Sequence, residues 1–303
     1  IMRDLDDFTG KIHIDFHYDS EHILHDNDRK IESIILSTSS IFYKDLCGGT
    51  LAGVLEHFNN KEIHQFLVKE NRGGSFCYIP EEDRQYEAPS YYVPTMHSVG
   101  VGDVYNSVFI SELFKTDMEK RMRLAALCAA QYAETMDYKK FRDNVQLVHT
   151  NISDLNELAG IRLPWTDRRD INIYMAAPDF PNVDTSLLDR LSECLLYHNF
   201  APRLPIRENG IASKTMSFGE KLNLYYKDIA LMHESDLLIA ILLYNDPGTL
   251  VELGMFKQVG KPTILFDPFN CCENMFVLYT PDYVCKNIVD VIDAVYLCLG
   301  KER

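Results

Sequence analysis

Residues 236–254 read DLLIAILLYNDPGTLVELG, and the fold class of the C-terminal half follows from this stretch. Residues 236–243 are apolar after Asp236, which is expected of a central strand buried on both faces of a parallel sheet. Residues 245–249 have the composition of a turn, and 250–260 that of a helix that ends at Gly260. The stretch therefore predicts one strand–turn–helix unit of an open α/β sheet.

Strands and helices alternate on both sides of this unit. The apolar spacing predicts strands at 171–177 and 262–266, helices at 184–198, 218–233 and 286–299, and a loop at 204–217. Asp184 or Thr185 is a natural N-cap for the first of these helices. This alternation predicts an α/β domain with a doubly wound, flavodoxin-like parallel sheet.

The length of 303 residues favours two domains. The polar segment 151–170 contains a proline and the only tryptophan, and it marks a boundary between a domain at 1–150 and one at 171–303. The N-terminal part also alternates. Its predicted strands are 11–18, 33–38, 64–70 and 75–80, and its predicted helices are 51–59, 99–114 and 117–134.

Charge and cysteine usage restrict the partners and the compartment. The formal net charge is −15, which repels phosphate backbones and disfavours a nucleic-acid polymer, although a local pocket can still bind a small nucleotide. The eight cysteines show no CxxC spacing and read as buried free thiols in a reducing compartment. No apolar run approaches the roughly 18 residues of a membrane span, and the acidic start does not resemble a signal peptide, so a cytoplasmic protein is expected.

Three carboxylates are placed for chemistry at the end of the buried strand. Asp246 and Glu252 flank the strand-to-helix turn, where open α/β sheets bind ligands, and Asp228 lies on the preceding helix. Gly248 allows a ligand to approach the backbone closely. Glu252 in the first helical turn is expected to stay ionised as a nucleophile, while Asp246 holds a proton and acts as an acid. Acidic residues at helix starts also serve as simple caps, so spacing alone leaves both roles open.

Several motifs of this half resemble those of the nucleoside 2-deoxyribosyltransferase family, in the family's order and spacing. Residues 173–178 resemble its opening IYLAGP strand, and 225–228 resemble the segment whose aspartate contacts the base. Residues 246–254 resemble its D-x-G-T-x-x-E-x-G signature, and 260–262 match the GKP that follows. The resemblance implies an enzyme that breaks and remakes the N-glycosidic bond of nucleosides, without a cofactor or metal.

The resemblance implies a role for each matching residue. It makes Glu252 the nucleophile on C1′, with a covalent deoxyribosyl–enzyme intermediate, and Tyr174 the residue that orients it. Asp246 and Asp228 would bind the base and move its proton, and Gly248 and Thr249 belong to the substrate-binding signature. Further substrate contacts are implied for Asn274 and Met275, which resemble a stretch that reaches into a neighbouring subunit. The implied partners are nucleosides, free bases and further copies of the chain in a homo-oligomer with shared sites.

Hydrolysis is an open alternative to transfer. Relatives that hydrolyse nucleoside 5′-monophosphates use the same glutamate and bind the phosphate with loop residues. Arg207, Ser213, Lys214 and Ser217 could serve that purpose here. Hydrolysis and transfer differ only in whether water or a second base resolves the intermediate.

Residues 97–105 of the N-terminal part resemble the D-T-x-G-A-G-D-x-F signature of PfkB/ribokinase-type sugar and nucleoside kinases. The resemblance makes Gly100 and Gly102 part of an anion hole at a helix start and Asp103 the base. Residues 36–40 lack the family's N-x-x-E pair, and 69–74 keep only the last glycine of its T-x-G-x-x-G. The part is therefore expected to be a partial ribokinase-like α/β domain, a fragment or vestigial remnant of about half the family's length.

Two readings from other functional classes remain. One is a sugar or nucleoside kinase that uses Asp103 as the base. The other is a module that binds nucleotides without turnover. The complete set of Tyr174, Asp228, Asp246 and Glu252 argues against the second reading, because a sensor would not need all four.

Overall fold

The computed structural model describes residues 9–16, 30–111, 117–150 and 158–302. The chain divides into two compact units, 1–166 together with 300–303, and 167–299. The division falls inside the segment predicted as the domain boundary, of which 151–157 lie outside the described residues. The return of the chain terminus to the first unit was not predicted.

The first unit is built from strands β1–β6 and helices α1–α4. The strands are β1 (His13–Phe16), β2 (Ile31–Ser37), β3 (Ile63–Lys69), β4 (Ser75–Ile79), β5 (Arg84–Ala88) and β6 (Ile161–Arg162). The helices are α1 (Leu51–His57), α2 (Val101–Ile110), α3 (Met118–Ala133) and α4 (Tyr138–Thr150). Parts of the predicted elements 11–18 and 99–114 lie outside the described residues.

The short helix α5 (Trp165–Arg168) spans the division, and the second unit follows it. Its strands are β7 (Asn172–Ala176), β8 (Ala201–Arg203), β9 (Leu237–Ile241), β10 (Thr263–Phe266) and β11 (Tyr283–Cys285). Its helices are α6 (Ser186–Tyr197), α7 (Pro205–Asn209), α8 (Phe218–Glu234), α9 (Pro247–Gln258), α10 (Met275–Tyr279) and α11 (Ile288–Leu299). The terminal β12 (Lys301–Glu302) pairs antiparallel with β6.

The sheet of the first unit has the order β1-β2-β3-β4-β5. The pairs β1–β2 and β2–β3 are parallel, and the pairs β3–β4 and β4–β5 are antiparallel. Alternate residues of β2 enter two different cores, because side chains of a strand point to opposite faces. Leu36 packs in a cluster with Phe42 on one face, and Ile35 packs with Phe109 on the other.

The sheet of the second unit is parallel throughout and has the order β11-β10-β9-β7-β8. Numbered along the unit, this order is 2-1-3-4-5, which confirms the predicted flavodoxin-like sheet. The strand order reverses between β7 and β9, and ligands of such sheets bind at the carboxyl ends of the strands at this point. The fold therefore directs attention to residues that follow β7 and β9.

The structure shows the state of the cysteines and tests the described helices for a membrane span. All eight cysteines are free, and four of them, Cys47, Cys77, Cys128 and Cys285, are buried. Cys271 is exposed, which departs from the expectation of buried thiols. Within the described part of the chain, no helix combines the length and apolar character that crossing a membrane requires.

Candidate active site

Tyr174 and Glu252 meet at the point where the strand order reverses. Tyr174 is fully buried in β7, and its hydroxyl donates a hydrogen bond of 2.8 Å to Glu252 Oε1. Glu252 lies in the second turn of α9, because the helix begins at Pro247 rather than at residue 250. Proline favours the first position of a helix, and the predicted turn was therefore too long. The placement of Glu252 in the first turn was wrong.

Glu252 is the carboxyl group whose ionisation the site perturbs most clearly. Burial raises the pKa of Glu252 to about 7, and the charges of Asp228 and Asp246 add to the rise. The hydrogen bond from Tyr174 opposes it, because it stabilises the ionised form. Burial thus works against the expectation that Glu252 stays ionised, because it brings the pKa of the carboxyl group close to neutral pH.

Asp246 forms the N-cap of α9. Its Oδ2 accepts hydrogen bonds from Thr249 N at 2.8 Å and from Thr249 Oγ1 at 2.9 Å. Gly248 leaves room for this arrangement, because a Cβ there would lie 3.1 Å from the same oxygen. Asp246 Oδ2 therefore serves the helix cap, and Oδ1 is the oxygen left for a ligand.

Asp228 has a partner that the sequence did not single out. Its Oδ1 accepts a 2.8 Å hydrogen bond from Asn209 Nδ2, at the end of α7. Burial raises the pKa of Asp228, and the bond from Asn209 offsets part of the rise. Asn209 was missed because 204–217 was predicted as a loop, and a single asparagine in a Gly-containing segment carries no distinguishing signal. Asp228 is thus a second carboxyl group close enough to Glu252 to influence its pKa, and burial favours the protonated form of Asp228.

Arg207 is held by two carboxylates. Its Nε lies 2.6 Å from Asp179 Oδ2, and its Nη2 lies 2.6 Å from Asp189 Oδ1. These ion pairs raise the pKa of Arg207. A phosphate would have to compete with both carboxylates, so the geometry gives no support to a phosphate role for this residue.

The other loop residues considered for phosphate binding also have local roles. Ser217 caps α8 in a reciprocal arrangement with Glu220, and Ser213 hydrogen-bonds to Thr215. Lys214 is exposed. These contacts indicate a segment ordered by its own turns and caps.

Asn274 and Met275 take no part in the hydrogen bonds of Tyr174, Glu252 and Asp228 within the described residues. Asn274 caps α10 by accepting a 2.9 Å hydrogen bond from Phe276 N. Met275, Phe276 and Tyr279 are exposed over 64%, 75% and 85% of their surface. Within the described residues, no hydrogen bond joins Asn274 or Met275 to Tyr174, Glu252 or Asp228.

The kinase-like motif of the first unit lies at the start of α2. Gly100 is the N-cap, with φ of 81°, and the exposed Asp103 lies in the first turn. Lys69 Nζ, at the end of β3, donates to Asn106 Oδ1 at 2.9 Å and pairs with Asp15 Oδ2 at 3.4 Å. Burial lowers the pKa of Lys69, and Asp15 and Asp103 oppose this effect. The ammonium group of Lys69 thus lies close to Gly102.

The second unit is therefore an α/β domain with a hydrogen-bonded Tyr–Glu pair and a nearby aspartate, at the sheet position where such folds bind ligands. Residues 173–276 match the family model described as nucleoside 2-deoxyribosyltransferase. This match supports an enzyme that acts on nucleosides. None of the curated proteins matches the sequence significantly.

Solved structures resemble each half separately. The 2-deoxyribosyltransferase of Bacillus psychrosaccharolyticus is 24% identical over 40% of this chain and 89% of its own, with a TM-score of 0.34. The ribokinase of Thermotoga maritima is 17% identical over 50% of this chain and 52% of its own, with a TM-score of 0.38. The nucleoside kinase of Methanocaldococcus jannaschii is 17% identical over 39% of this chain and 40% of its own, with a TM-score of 0.30. This chain thus spans about half or less of these two kinases.

Proposed function

We propose that the second unit cleaves the N-glycosidic bond of 2′-deoxynucleosides and transfers the sugar to a second base, with Glu252 as the nucleophile. The observation that supports this most strongly is the 2.8 Å bond from the buried Tyr174 to Glu252 at the crevice. A carboxylate fixed through one oxygen presents the other in a defined direction. Asp228 supplies a second carboxyl group, as a retaining mechanism requires.

The proposed reaction has two steps. Glu252 Oε2 attacks C1′, the bond between C1′ and the base nitrogen breaks, and the electron pair leaves with the base. Asp228, in its protonated form, donates the proton that the departing base needs, and burial favours that form because it raises the pKa. A second base then attacks C1′, returns its proton to Asp228 and releases Glu252. Water in place of the second base would give hydrolysis.

Chromatography distinguishes these outcomes. The protein is incubated with a 2′-deoxynucleoside, with and without a second free base, and the products are separated. A new deoxynucleoside that forms only with the acceptor base supports transfer. Free base released equally without an acceptor indicates hydrolysis, and the deoxynucleoside 5′-monophosphate is then tested in the same way. No product from any of these substrates contradicts the proposal.

The rate is expected to depend on the ionisation of Glu252. A nucleophile must be deprotonated, so the rising acidic limb of the profile of kcat/KM against pH should have its midpoint at about pH 7. The raised value follows mainly from burial. Initial rates measured from pH 5 to 9 check this, and a rate that is flat across neutral pH would contradict the assignment.

Replacing Tyr174 by Phe is expected to move this midpoint to a higher pH. The hydroxyl stabilises the ionised form of Glu252 and so lowers its pKa. Without the hydroxyl, burial and the charges of Asp228 and Asp246 still raise the pKa, and nothing from Tyr174 offsets them. The activity lost at pH 7 should therefore recover in part at higher pH. A variant with a uniformly lower rate and an unchanged midpoint would mean that Tyr174 acts only through packing.

For the first unit we propose a role without phosphoryl transfer. Residues 36–40 lack the N-x-x-E pair of the kinases, 69–74 keep only the last glycine of their nucleotide-binding motif, and Lys69 is engaged by Asn106 and Asp15. We expect no nucleoside-dependent consumption of ATP. Consumption that disappears in Asp103→Asn would show instead that this unit is a kinase.

A further inference from the structure

Helix α7 is a short element that directly follows β8 at the carboxyl end of the sheet. It is five residues long, packs against α8 and β7, and ends at Asn209. The amide of Asn209 donates the 2.8 Å hydrogen bond to Asp228 of α8. A helix of this length is not stable by itself, because the first turn is costly to form. The position of Asn209 therefore depends on what holds α7 in place.

Arg207 joins α7 to two segments on its other side. Its Nε and Nη2 donate to the two carboxylate oxygens of Asp179, at 2.6 Å and 3.3 Å. Asp179 lies in the loop after β7, and its side chain is 15% exposed. Nη2 also lies 2.6 Å from Asp189 Oδ1 of α6. A bidentate pair of this kind fixes direction as well as distance, so it sets the orientation of α7 relative to β7.

The neighbouring Glu208 holds α7 in a different way. Its carboxylate accepts hydrogen bonds from Leu204 N at 3.0 Å and from Arg203 Nη2 at 2.7 Å. These partners lie within five residues of Glu208 in the chain, so they stabilise the turn between β8 and α7. They do not connect α7 to the loop after β7 or to α6, whereas the contacts of Arg207 do.

We infer that Arg207 is a positioning residue of the candidate active site, which anchors α7 to the loop after β7 and so holds the amide of Asn209 against Asp228. This inference rests on the proposed function, in which Asp228 moves the proton of the base. Residues two apart in a helix point about 200° apart around its axis. Arg207 therefore faces Asp179 while Asn209 faces Asp228. Within the described residues, no hydrogen bond or ion pair joins Arg207 to Asp228 or Glu252, so it acts through α7.

The type of cation at this position should matter. A lysine is a point charge that can pair with one carboxylate, but it cannot hold both oxygens of Asp179 in one plane. Arg207→Lys should therefore keep part of the anchoring. Arg207→Ala removes all of it and leaves Asp179 and Asp189 without their shared cation.

The test is a double-mutant cycle on the full chain, with kcat and KM measured for transfer from a 2′-deoxynucleoside to a free base. The variants are Arg207→Ala, Arg207→Lys, Asn209→Ala and the double alanine variant. The control is Arg190→Ala, which removes an exposed arginine of α6. We expect Arg207→Ala to lower kcat roughly tenfold, as does loss of one hydrogen bond to a charged group, with a smaller change in KM. Lysine should restore part of the rate, and Arg190→Ala should behave as the wild type.

The decisive comparison is between backgrounds. If Arg207 acts through Asn209, Arg207→Ala should cause no further loss once Asn209 is already alanine. Amide hydrogen exchange of segment 204–210 should also be faster in Arg207→Ala, and unchanged in Arg190→Ala.

Independent, multiplicative losses in the double variant would overturn the inference, as would unchanged exchange of segment 204–210. Absence of turnover by the wild type would refute the proposed function and this inference together. Turnover by the wild type with independent losses would refute the inference alone. If Arg207→Ala does not fold, Arg207→Lys takes its place in the cycle, and the same comparison decides.

Discussion

Replacing Glu252 by Gln is expected to abolish nucleoside turnover and, at the same time, to raise the stability of the protein above neutral pH. The amide can still accept the hydrogen bond from Tyr174 but cannot attack C1′. Loss of a nucleophile typically lowers kcat by at least about a thousandfold. A loss of activity combined with a gain in stability is the expected result for a catalytic carboxylate whose ionised form is destabilised by burial.

The stability gain follows from the pKa of Glu252. The value is 4.5 in the ordinary environment of an unfolded chain and about 7 in the folded protein, mainly because of burial. The folded state therefore favours the protonated carboxyl, and the stability this provides at low pH is lost as the pH rises through about 7. The difference corresponds to about 3 kcal/mol, which Gln recovers because it does not ionise.

Thermal unfolding at pH 5 and pH 8, together with product assays, measures both effects. Glu193→Gln is the matched control, since Glu193 is an exposed residue of α6 and should change neither quantity. The stabilisation should be large at pH 8 and smaller at pH 5. A Glu252→Gln variant that keeps its activity would remove Glu252 from the mechanism, and one that is less stable at pH 8 would contradict the electrostatic description.

Replacing Glu70 by Ala is expected to destabilise the first unit by about 3–5 kcal/mol, because it leaves a buried guanidinium group without its partner. Glu70 and Arg162 are each 2% exposed and form an ion pair. Glu70 Oε1 also accepts a 2.8 Å hydrogen bond from Trp165 N. The carboxylate thus holds the segment 161–165 against the end of β3. Its removal breaks the ion pair with Arg162 and the hydrogen bond from Trp165.

Chemical denaturation monitored by the fluorescence of the single tryptophan, Trp165, measures this effect directly. The control is Glu81→Ala, which breaks the exposed 3.2 Å pair with Lys30. Exposed pairs contribute at most about 1 kcal/mol, so the control should unfold nearly as the wild type does. Equal midpoints for Glu70→Ala and Glu81→Ala would show that the buried pair does not hold the unit together.

The sequence predicted the second unit well, because its signals are local. The continuous apolar run of β9 and the helical spacing of α6 and α8 follow from side-chain periodicity alone. The parallel sheet with helices on both faces follows from the alternation of strands and helices together with the right-handedness of parallel crossovers. Short elements escaped prediction, because three to five residues, as in β8, α7 and α10, carry too little periodicity. The edge strand β5 is largely exposed and polar, so it lacks the alternation of a half-buried strand.

The identity of the site residues was accessible to sequence, but their electrostatics was not. Tyr174, Asp228, Asp246 and Glu252 were selected from motif spacing, and the roles assigned to them remain proposals. The ionisation of Glu252 depends on burial by neighbours distant in sequence, such as Tyr174. The same limit applies to Asn209, whose importance appears only once α7 places it against Asp228.

The ion pairs and hydrogen bonds seen in the structure also changed the interpretation of single charged residues. From the sequence, Arg207 was a candidate phosphate ligand, but in the structure it forms ion pairs with Asp179 and Asp189. Lys69 carried no expectation, and the fold places it among Asp15, Asn106 and Gly102. The sequence does not show which residue a charged side chain pairs with, and its role depends on that partner.

The most direct test of the central claim is mass spectrometry of the chain after incubation with a 2′-deoxynucleoside without an acceptor base. The reaction is quenched in acid, and the peptide that contains Glu252 is compared between wild type and Glu252→Gln. The account predicts a deoxyribosyl adduct on Glu252 in the wild type, lost on adding an acceptor base and absent from the variant. Turnover in the wild type with an adduct on another residue, or with the variant equally active, would contradict it.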